Sequence, residues 1–454
     1  MVNGFRSFGE GLQSIEKFCM AVNMPPPMTP KNFTNLVDIM ADKYNIEARI
    51  SLSKAAAEVR KKVTGLADPG DVTVQSGVSV DGAWQRRGHA SHNGFVSAIS
   101  TVNSKVLDVE VMSNFCASCN KMESKMESRE YMRWKVKHAP QCNLNHSGSA
   151  GSMESSGAVR IFGRSENHHN IQYTEYLGDG DSSSFKSVSE SKPYGPVEIV
   201  KKECIGHVQK RMGTRTRALV KKNAKVRLSD GKKISGRGRL TQKIQDKCQN
   251  YYGIAIRENL NDLPAMQNAI KAGLYHIAST DMKPQHHLCP KGPESWCGYN
   301  TKDPKFKHRC GLPDSIVDLL LPIYDDLSSD ELLQKCTHGR TQNSNESFNK
   351  MVWDYYPKTV YTNRTSFSLA VDMAICQFND GNSSVLSFYE SLGIEPGLFT
   401  RQLCAKIDNR RITKSVFRCS EKAKHQRKRL RAKRKGLIDT YEENEGTVYE
   451  SGGF

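Results

Sequence analysis

Between residues 72 and 112 lie three short runs rich in Val and Ile, and no other feature narrows the fold of this chain as far. Val72 to Val80 alternates apolar and polar and ends on Asp81-Gly82-Ala83-Trp84. Gly94 to Val102 and Lys105 to Met112 follow, joined by a short Asn103-Ser104 turn. Branched residues at a period of two, broken by turn residues, predict three strands in a meander. The period then changes. Ser152 to Glu166 predicts a helix, and Ile171 to Leu177 a fourth strand stopped by Gly178-Asp179-Gly180-Asp181. A short helix over 182–189, a fifth strand from Val197 to Glu203 and a helix from Cys204 to Lys222 complete the pattern. The order βββαβαβα predicts a mixed α/β fold.

Residues 1–70 read as helices broken at Pro25-Pro26-Pro27, with separate helical runs over 33–44 and 52–63. From Leu240 to Lys335 the patterns are again helical, as in Leu240 to Ile256 and Asp314 to Leu327. No apolar run reaches the ~18–20 residues that a membrane helix needs, and the first residues lack the build of a secretory signal. Together these predict a soluble protein kept inside the cell, with no membrane partner. Lys and Arg number 66 against 48 acids, so an acidic partner such as nucleic acid is expected. In a reducing compartment the 13 cysteines are expected to be buried or to bind metal rather than to pair.

Two carboxylates stand where strands end. Asp81 closes the first predicted strand and Asp179 follows the fourth, with Asp181 beside it as an alternative. Adjacent strands can bring such acids together, and close carboxylates are costly unless a divalent cation such as Mg²⁺ neutralises them. Asp-Gly is equally an ordinary turn pair. A third acid, Glu346, lies in Thr341-Gln342-Asn343-Ser344-Asn345-Glu346-Ser347-Phe348-Asn349, where the chain enters a helix; a capping role would place a Glu there too.

The order and wording of these segments resemble those of Mutator-like transposase domains of animal DNA transposons, within the RNase H-like DDE transposases. The matching stretches include SVDGAWQRRGHASHNGFVSAIS, VLDVEVMS, YLGDGD, ECIGHVQKRMG, LCPKGPESWC, THGRTQNSNESFN and CQFNDGN, in order over roughly residues 8–395. The resemblance implies an RNase H-like core over 71–113 and 148–225, after an N-terminal helical region over 1–70. It implies a helical insertion over 226–335 before the last acid, core helices carrying that acid over 336–395, and a largely disordered basic and acidic tail over 396–454. By position, Asp81, Asp179 and Glu346 are the implied catalytic acids. They would hold Mg²⁺ or Mn²⁺ for cleavage at transposon ends and strand transfer into target DNA. His207, in Cys204-Ile205-Gly206-His207, is similar to the family's Cys-x-x-His motif and is expected near the scissile strand. The implied partners are double-stranded DNA and further copies of the chain, with no small-molecule substrate. Such families carry end-recognition modules upstream and none is evident here, so the sequence reads as a partial copy. The rival reading is a domesticated nuclear zinc protein that binds DNA without cutting it.

Cys116-x2-Cys119 and His138-x3-Cys142 have the spacing of a structural zinc site, with His146 as a spare ligand. That predicts a zinc-binding insertion over 114–147. A looser second cluster comprises His287, Cys289 and Cys297, with His286 adjacent and Cys310 beyond. Between Lys210 and Arg239, twelve of thirty residues are Lys or Arg, so Lys210, Arg211, Arg215, Arg217, Lys221, Lys222, Arg237 and Arg239 are candidate phosphate-binding residues. Lys422 to Lys435 reads as a nuclear-localisation signal or a DNA-gripping tail.

Overall fold

The computed structural model describes residues 1–430 apart from 87–90, 181–182, 294, 303–305, 307, 309–310, 360–362 and 428. Asp181 and Cys310 therefore lie outside the described residues, as do residue 428 and residues 431–435 of the basic segment. In chain order the elements are α1 (Val2–Arg6), α2 (Leu12–Ala21), α3 (Pro30–Thr64), β1 (Val74–Trp84), β2 (Asn93–Ser100), β3 (Val106–Ser113), α4 (Ala117–Glu123), α5 (Ser128–His138), α6 (Ala150–His169), β4 (Ile171–Gly178), α7 (Ser183–Ser191) and β5 (Val200–Glu203). Then come α8 (Ile205–Lys222), α9 (Gln242–Glu258), α10 (Leu263–Ala278), α11 (Asp314–Leu327), α12 (Asp330–Gln334), α13 (Asn343–Tyr355), α14 (Arg364–Asp380), α15 (Ser384–Ser391) and α16 (Leu398–Cys419).

The five strands form one mixed sheet in the order β3-β2-β1-β4-β5. β1 pairs antiparallel with β2 and parallel with β4, and β4 runs parallel to β5. The predicted mixed α/β layout is therefore present, with three differences of extent. First, β1 does not end at Asp81: it continues to Trp84, because Asp81-Gly82 stays paired with Ser97 and Val96 of β2 instead of turning. Second, the two helical runs over 33–44 and 52–63 are one 35-residue helix, α3. Thr29 caps its start by accepting from the Asn32 amide, Pro30 opens it, and Gly65 ends it in the left-handed conformation at φ 73°. The residues between the runs contain neither Gly nor Pro, and Ala48 and Ser51 are buried, so nothing there breaks the helix. Third, residues 398–419 of the expected disordered tail form α16.

Every residue of β2 is buried, since both faces of the sheet are covered. On one face Phe95, Ile99 and Val106 pack with Phe348 and Val352 of α13, Phe367 and Val371 of α14, and Tyr44 of α3. On the other, Val78, Val80, Val96 and Leu107 pack with Ile161 and Phe162 of α6. Each such side chain contributes about 1.5–3 kcal/mol on full burial, so the two layers dominate the stability of this part. α6 lies unusually close to the sheet: a Cβ at Gly157 would fall 2.7 Å from Val96 Cγ2. A third core, from Ile205, Val208 and Met212 of α8 through Tyr252, Ile270, Leu320 and Leu333, belongs to the helices α8–α12. No helix among the described residues is long and apolar enough to cross a membrane.

Candidate active site and metal centres

The parallel register sets the first two acids side by side. Ser79 of β1 pairs with Leu177 of β4, so two residues further on Asp81 comes level with Asp179, across a strand spacing of about 4.8 Å. Both stand just past the end of the parallel β1–β4 pairing, on the side where open α/β sheets bind ligands. Their electrostatics differ. Burial pushes the Asp81 carboxyl up to about 6, the Glu154 charge adds to this, and a hydrogen bond from Asn349 Nδ2 to Asp81 Oδ2 at 2.7 Å opposes it. Asp179 is drawn down to about 2, chiefly by the hydrogen bond from His207, whose Nδ1 lies 3.0 Å from Asp179 Oδ2. That bond in turn raises the His207 pKa. Arg211 reaches within 3.9 Å of the same carboxylate while paired to buried Glu203 at 2.9 Å. It crosses directly over Gly180, where a Cβ would fall 1.5 Å from its Nη2, so a side chain there would have to displace the guanidinium.

Glu346 is an exposed residue in the first turn of α13 and is placed by its neighbours. Gln342 Nε2 donates to the Val80 carbonyl at 2.8 Å, Asn345 Nδ2 to the Ser79 carbonyl at 3.1 Å, and Asn349 to Asp81. Glu346 stands four residues after Gln342 and three before Asn349, hence on the same helix face, with Cβ–Cβ spacings of about 5–6 Å to each. The N-terminus of α13 is thereby held against the end of β1 that carries Asp81.

Glu154 is a fourth acid here, and sequence reasoning passed over it. Burial raises its pKa, with the Asp179 charge adding to the effect, and Ser184 hydrogen-bonds it. Its Oε2 lies 3.1 Å from where a Cβ would stand on Gly82, next to Asp81. The signal available was the run of small residues around Gly157, which lets α6 approach the sheet closely. Asn349 Oδ1 and Gln342 Oε1 are buried with no hydrogen-bond partner among the described residues. These groups are all oxygen donors, the type that a hard divalent cation takes.

The first Cys/His cluster assembles as spaced. Cys116 Sγ is 3.3 Å from His138 Nε2, Cys119 Sγ is 3.4 Å from Cys142 Sγ, and the four ligand atoms lie within 4.8 Å of one another. Tetrahedral zinc, with bonds of about 2.3 Å to sulfur and about 2.0–2.1 Å to nitrogen, has edges of about 3.6 Å (S–N) and about 3.8 Å (S–S). The two distances given above fall within about 0.4 Å of those edges. Burial opposes ionisation of Cys116, yet the Cys119 amide and His138 hold its thiol down to about 6. α5 buries none of its residues, so the lobe has no apolar core of its own to hold it. His146 is not a ligand: it is buried against Ser152 Oγ at 2.8 Å, at the start of α6. The second expected cluster changes membership. Cys289 and Cys297 gather His276 and His286, while His287 packs against the Tyr275 ring, 5.3 Å between centroids.

The basic candidates divide. Arg239 is buried in an ion pair with Asp230, Arg211 pairs with buried Glu203 beside Asp179, and Arg215 is exposed in a surface pair with Asp326. Lys210, Arg217, Lys221 and Lys222 on α8, and Arg237 in the following loop, are not buried.

No curated protein matches the chain. The family model described as Mutator-like transposase matches residues 1–297, a stretch that holds Asp81, Asp179, His207 and both Cys/His clusters, while Glu346 lies beyond it. With 297 of 454 residues matched, the chain belongs to the Mutator-like transposase family.

Proposed function

We propose that this chain is a DDE transposase on an RNase H-like core, cutting DNA at transposon ends and joining the freed 3′ ends to target DNA. The observation that carries the reading is the level alignment of Asp81 and Asp179 on paired parallel strands, with the Glu346 helix tied to Asp81 through Asn349. Asp81, Asp179 and Glu346 would hold Mg²⁺ or Mn²⁺. When bound, such ions activate the attacking water or 3′-hydroxyl and stabilise the leaving oxygen of an in-line displacement.

The chain's own residues divide the remaining work. His207 and Arg211 keep Asp179 ionised and fix the direction of its oxygens. Asn349 orients Asp81 through one carboxylate oxygen. Glu154 adds negative charge and disfavours an ionised Asp81 until a cation arrives. Lys210, Arg217, Lys221, Lys222 and Arg237 are suited to the DNA backbone by position on one helix and its following loop. A structural zinc at Cys116, Cys119, His138 and Cys142 would fold the 114–147 lobe. Work on DNA ends implies the nucleus, for which the basic segment at 422–435 is suited, and pairing of two ends implies more than one copy of the chain.

The test is cleavage and joining of a labelled transposon-end duplex with Mg²⁺ or Mn²⁺, comparing wild type with Asp81→Asn and Glu346→Gln. Metal-dependent products lost in both variants are expected. Salt-sensitive DNA binding without products from the wild type would favour the domesticated binder, and products from Glu346→Gln would remove Glu346 from the site.

A further inference from the structure

The geometry points to a second structural zinc site, in the helical part of the chain, formed by His276, His286, Cys289 and Cys297. His276 comes from the last turn of α10 and the other three from the segment that follows. The two histidine Nδ1 atoms are 3.2 Å apart. Cys289 Sγ lies 3.7 Å from each of them, and Cys297 Sγ lies 3.8 Å from His276 Nδ1 and 3.4 Å from His286 Nδ1. Tetrahedral zinc has edges of about 3.3 Å between nitrogens and about 3.6 Å between sulfur and nitrogen. All five measured edges fall within about 0.2 Å of these values, which packing of neutral side chains has no reason to reproduce.

The surroundings support the same conclusion independently. His286 Nε2 lies 2.8 Å from Ser279 Oγ and 2.8 Å from His308 Nε2, and His308 Nδ1 is 2.5 Å from Asp281 Oδ1. A proton on His286 Nε2 satisfies this outer chain and leaves the Nδ1 lone pair facing the two sulfurs. That is the tautomer a metal ligand needs, fixed by a histidine–carboxylate partner as metal-bound imidazoles commonly are. Moreover, α10 ends at Ala278 and α11 begins at Asp314, and no helix or strand is assigned between them among the described residues. Connections longer than about 12–15 residues without regular structure are uncommon inside a compact unit. Here Cys289, Cys297 and His286 are nonetheless buried. A cation gathering them onto α10 accounts for both facts. Two thiolates and two imidazoles select Zn²⁺ among common ions, and four protein ligands leave no open position, so the site is structural.

The experiment uses the full chain and Zn²⁺ or Co²⁺ alone. Elemental analysis of the wild type is expected to give two zincs per chain. Cys289→Ser with Cys297→Ser should leave one and make residues 279–313 protease-sensitive, and His276→Ala should likewise leave one. His287→Ala should keep both. Zinc content unchanged by the Cys289/Cys297 pair would overturn the proposal. Should that pair not fold, the reciprocal chain carrying Cys116→Ser, Cys119→Ser and Cys142→Ser keeps the matter decidable. Co²⁺ added to it must give a thiolate-to-metal charge-transfer band, and absence of the band would equally overturn the site.

Discussion

Asp81→Asn should stabilise the metal-free protein while abolishing its chemistry. The carboxyl ordinarily titrates near 3.8 and is pushed to about 6 by burial and by Glu154. Raised in the folded state, it makes ionisation favour the unfolded chain. The cost is absent below about pH 4, grows as pH rises through the interval, and is complete above about pH 6. From 3.8 to about 6, at about 1.4 kcal/mol per pH unit, the full cost is about 3 kcal/mol. Asparagine has the same shape, and its Oδ1 can still accept from Asn349 Nδ2. The variant should therefore gain about 1–3 kcal/mol at pH 7.5, a rise in Tm of up to about 10 °C at 2–4 °C per kcal/mol for a domain of 150–250 residues. The assay is thermal unfolding of both proteins in Mg²⁺-free buffer without chelator, so that zinc stays bound, from pH 4 to pH 8. Millimolar Mg²⁺ should raise the wild-type Tm and leave Asp81→Asn nearly unmoved. A variant no more stable than wild type at pH 7.5, or a gain independent of pH, would refute the reasoning that Asp81 is held against its charge.

Three further outcomes are expected. Cys119→Ser should release the zinc of the 114–147 lobe and expose that segment to protease, while the sheet keeps its hydrogen-exchange protection, because α5 contributes nothing to the sheet core. His207→Ala should lower end cleavage by about 10–100-fold, as removal of a partner that orients a metal-holding carboxylate does, with circular dichroism unchanged. Replacing Lys221 or Lys222 by Ala should reduce the salt dependence of DNA binding by about 0.9 in log–log slope for each phosphate left without its cation, whereas Arg239→Ala should lower stability and leave that slope intact.

How much of this was legible in the sequence follows from the range of the interactions involved. Strand alternation is local, so β1–β5 were readable, and the two Asp residues came with them. The end of β1 was not, because Asp81-Gly82 is a turn pair by propensity and a strand by its pairing with β2. α3 was divided because apolar spacing weakens over 45–51, where polar residues alternate with the buried Ala48 and Ser51. Zinc at Cys116, Cys119, His138 and Cys142 was visible because paired spacing is itself the signal. The other cluster was blurred: His286 and His287 are indistinguishable by spacing, and His276 lies on a helix outside any Cys/His pattern. Glu154 and Asn349 act across 73 and 268 residues respectively; the small residues around Gly157 mark only the close approach of α6, and nothing local marks Asn349. In the basic run, a charge count does not reveal that Arg239 is buried with Asp230 or that Arg215 has a carboxylate partner at Asp326.

The face of the sheet covered by α3, α13 and α14 has a consequence for how the molecule is made. Tyr44 stacks on Phe388 with ring centroids 4.0 Å apart, and Asn349 meets Asp81 only after 267 intervening residues have been added. At about 5–20 residues per second, the ribosome needs about 20–70 s to deliver Phe388 after Tyr44. For that interval α3 carries an apolar stripe with no cover, which makes the emerging chain a natural client for a chaperone. Under the function proposed above, a chain still being made has Asp81 and Asp179 before it has α13, so cleavage would wait until the helix that carries Glu346 has been added.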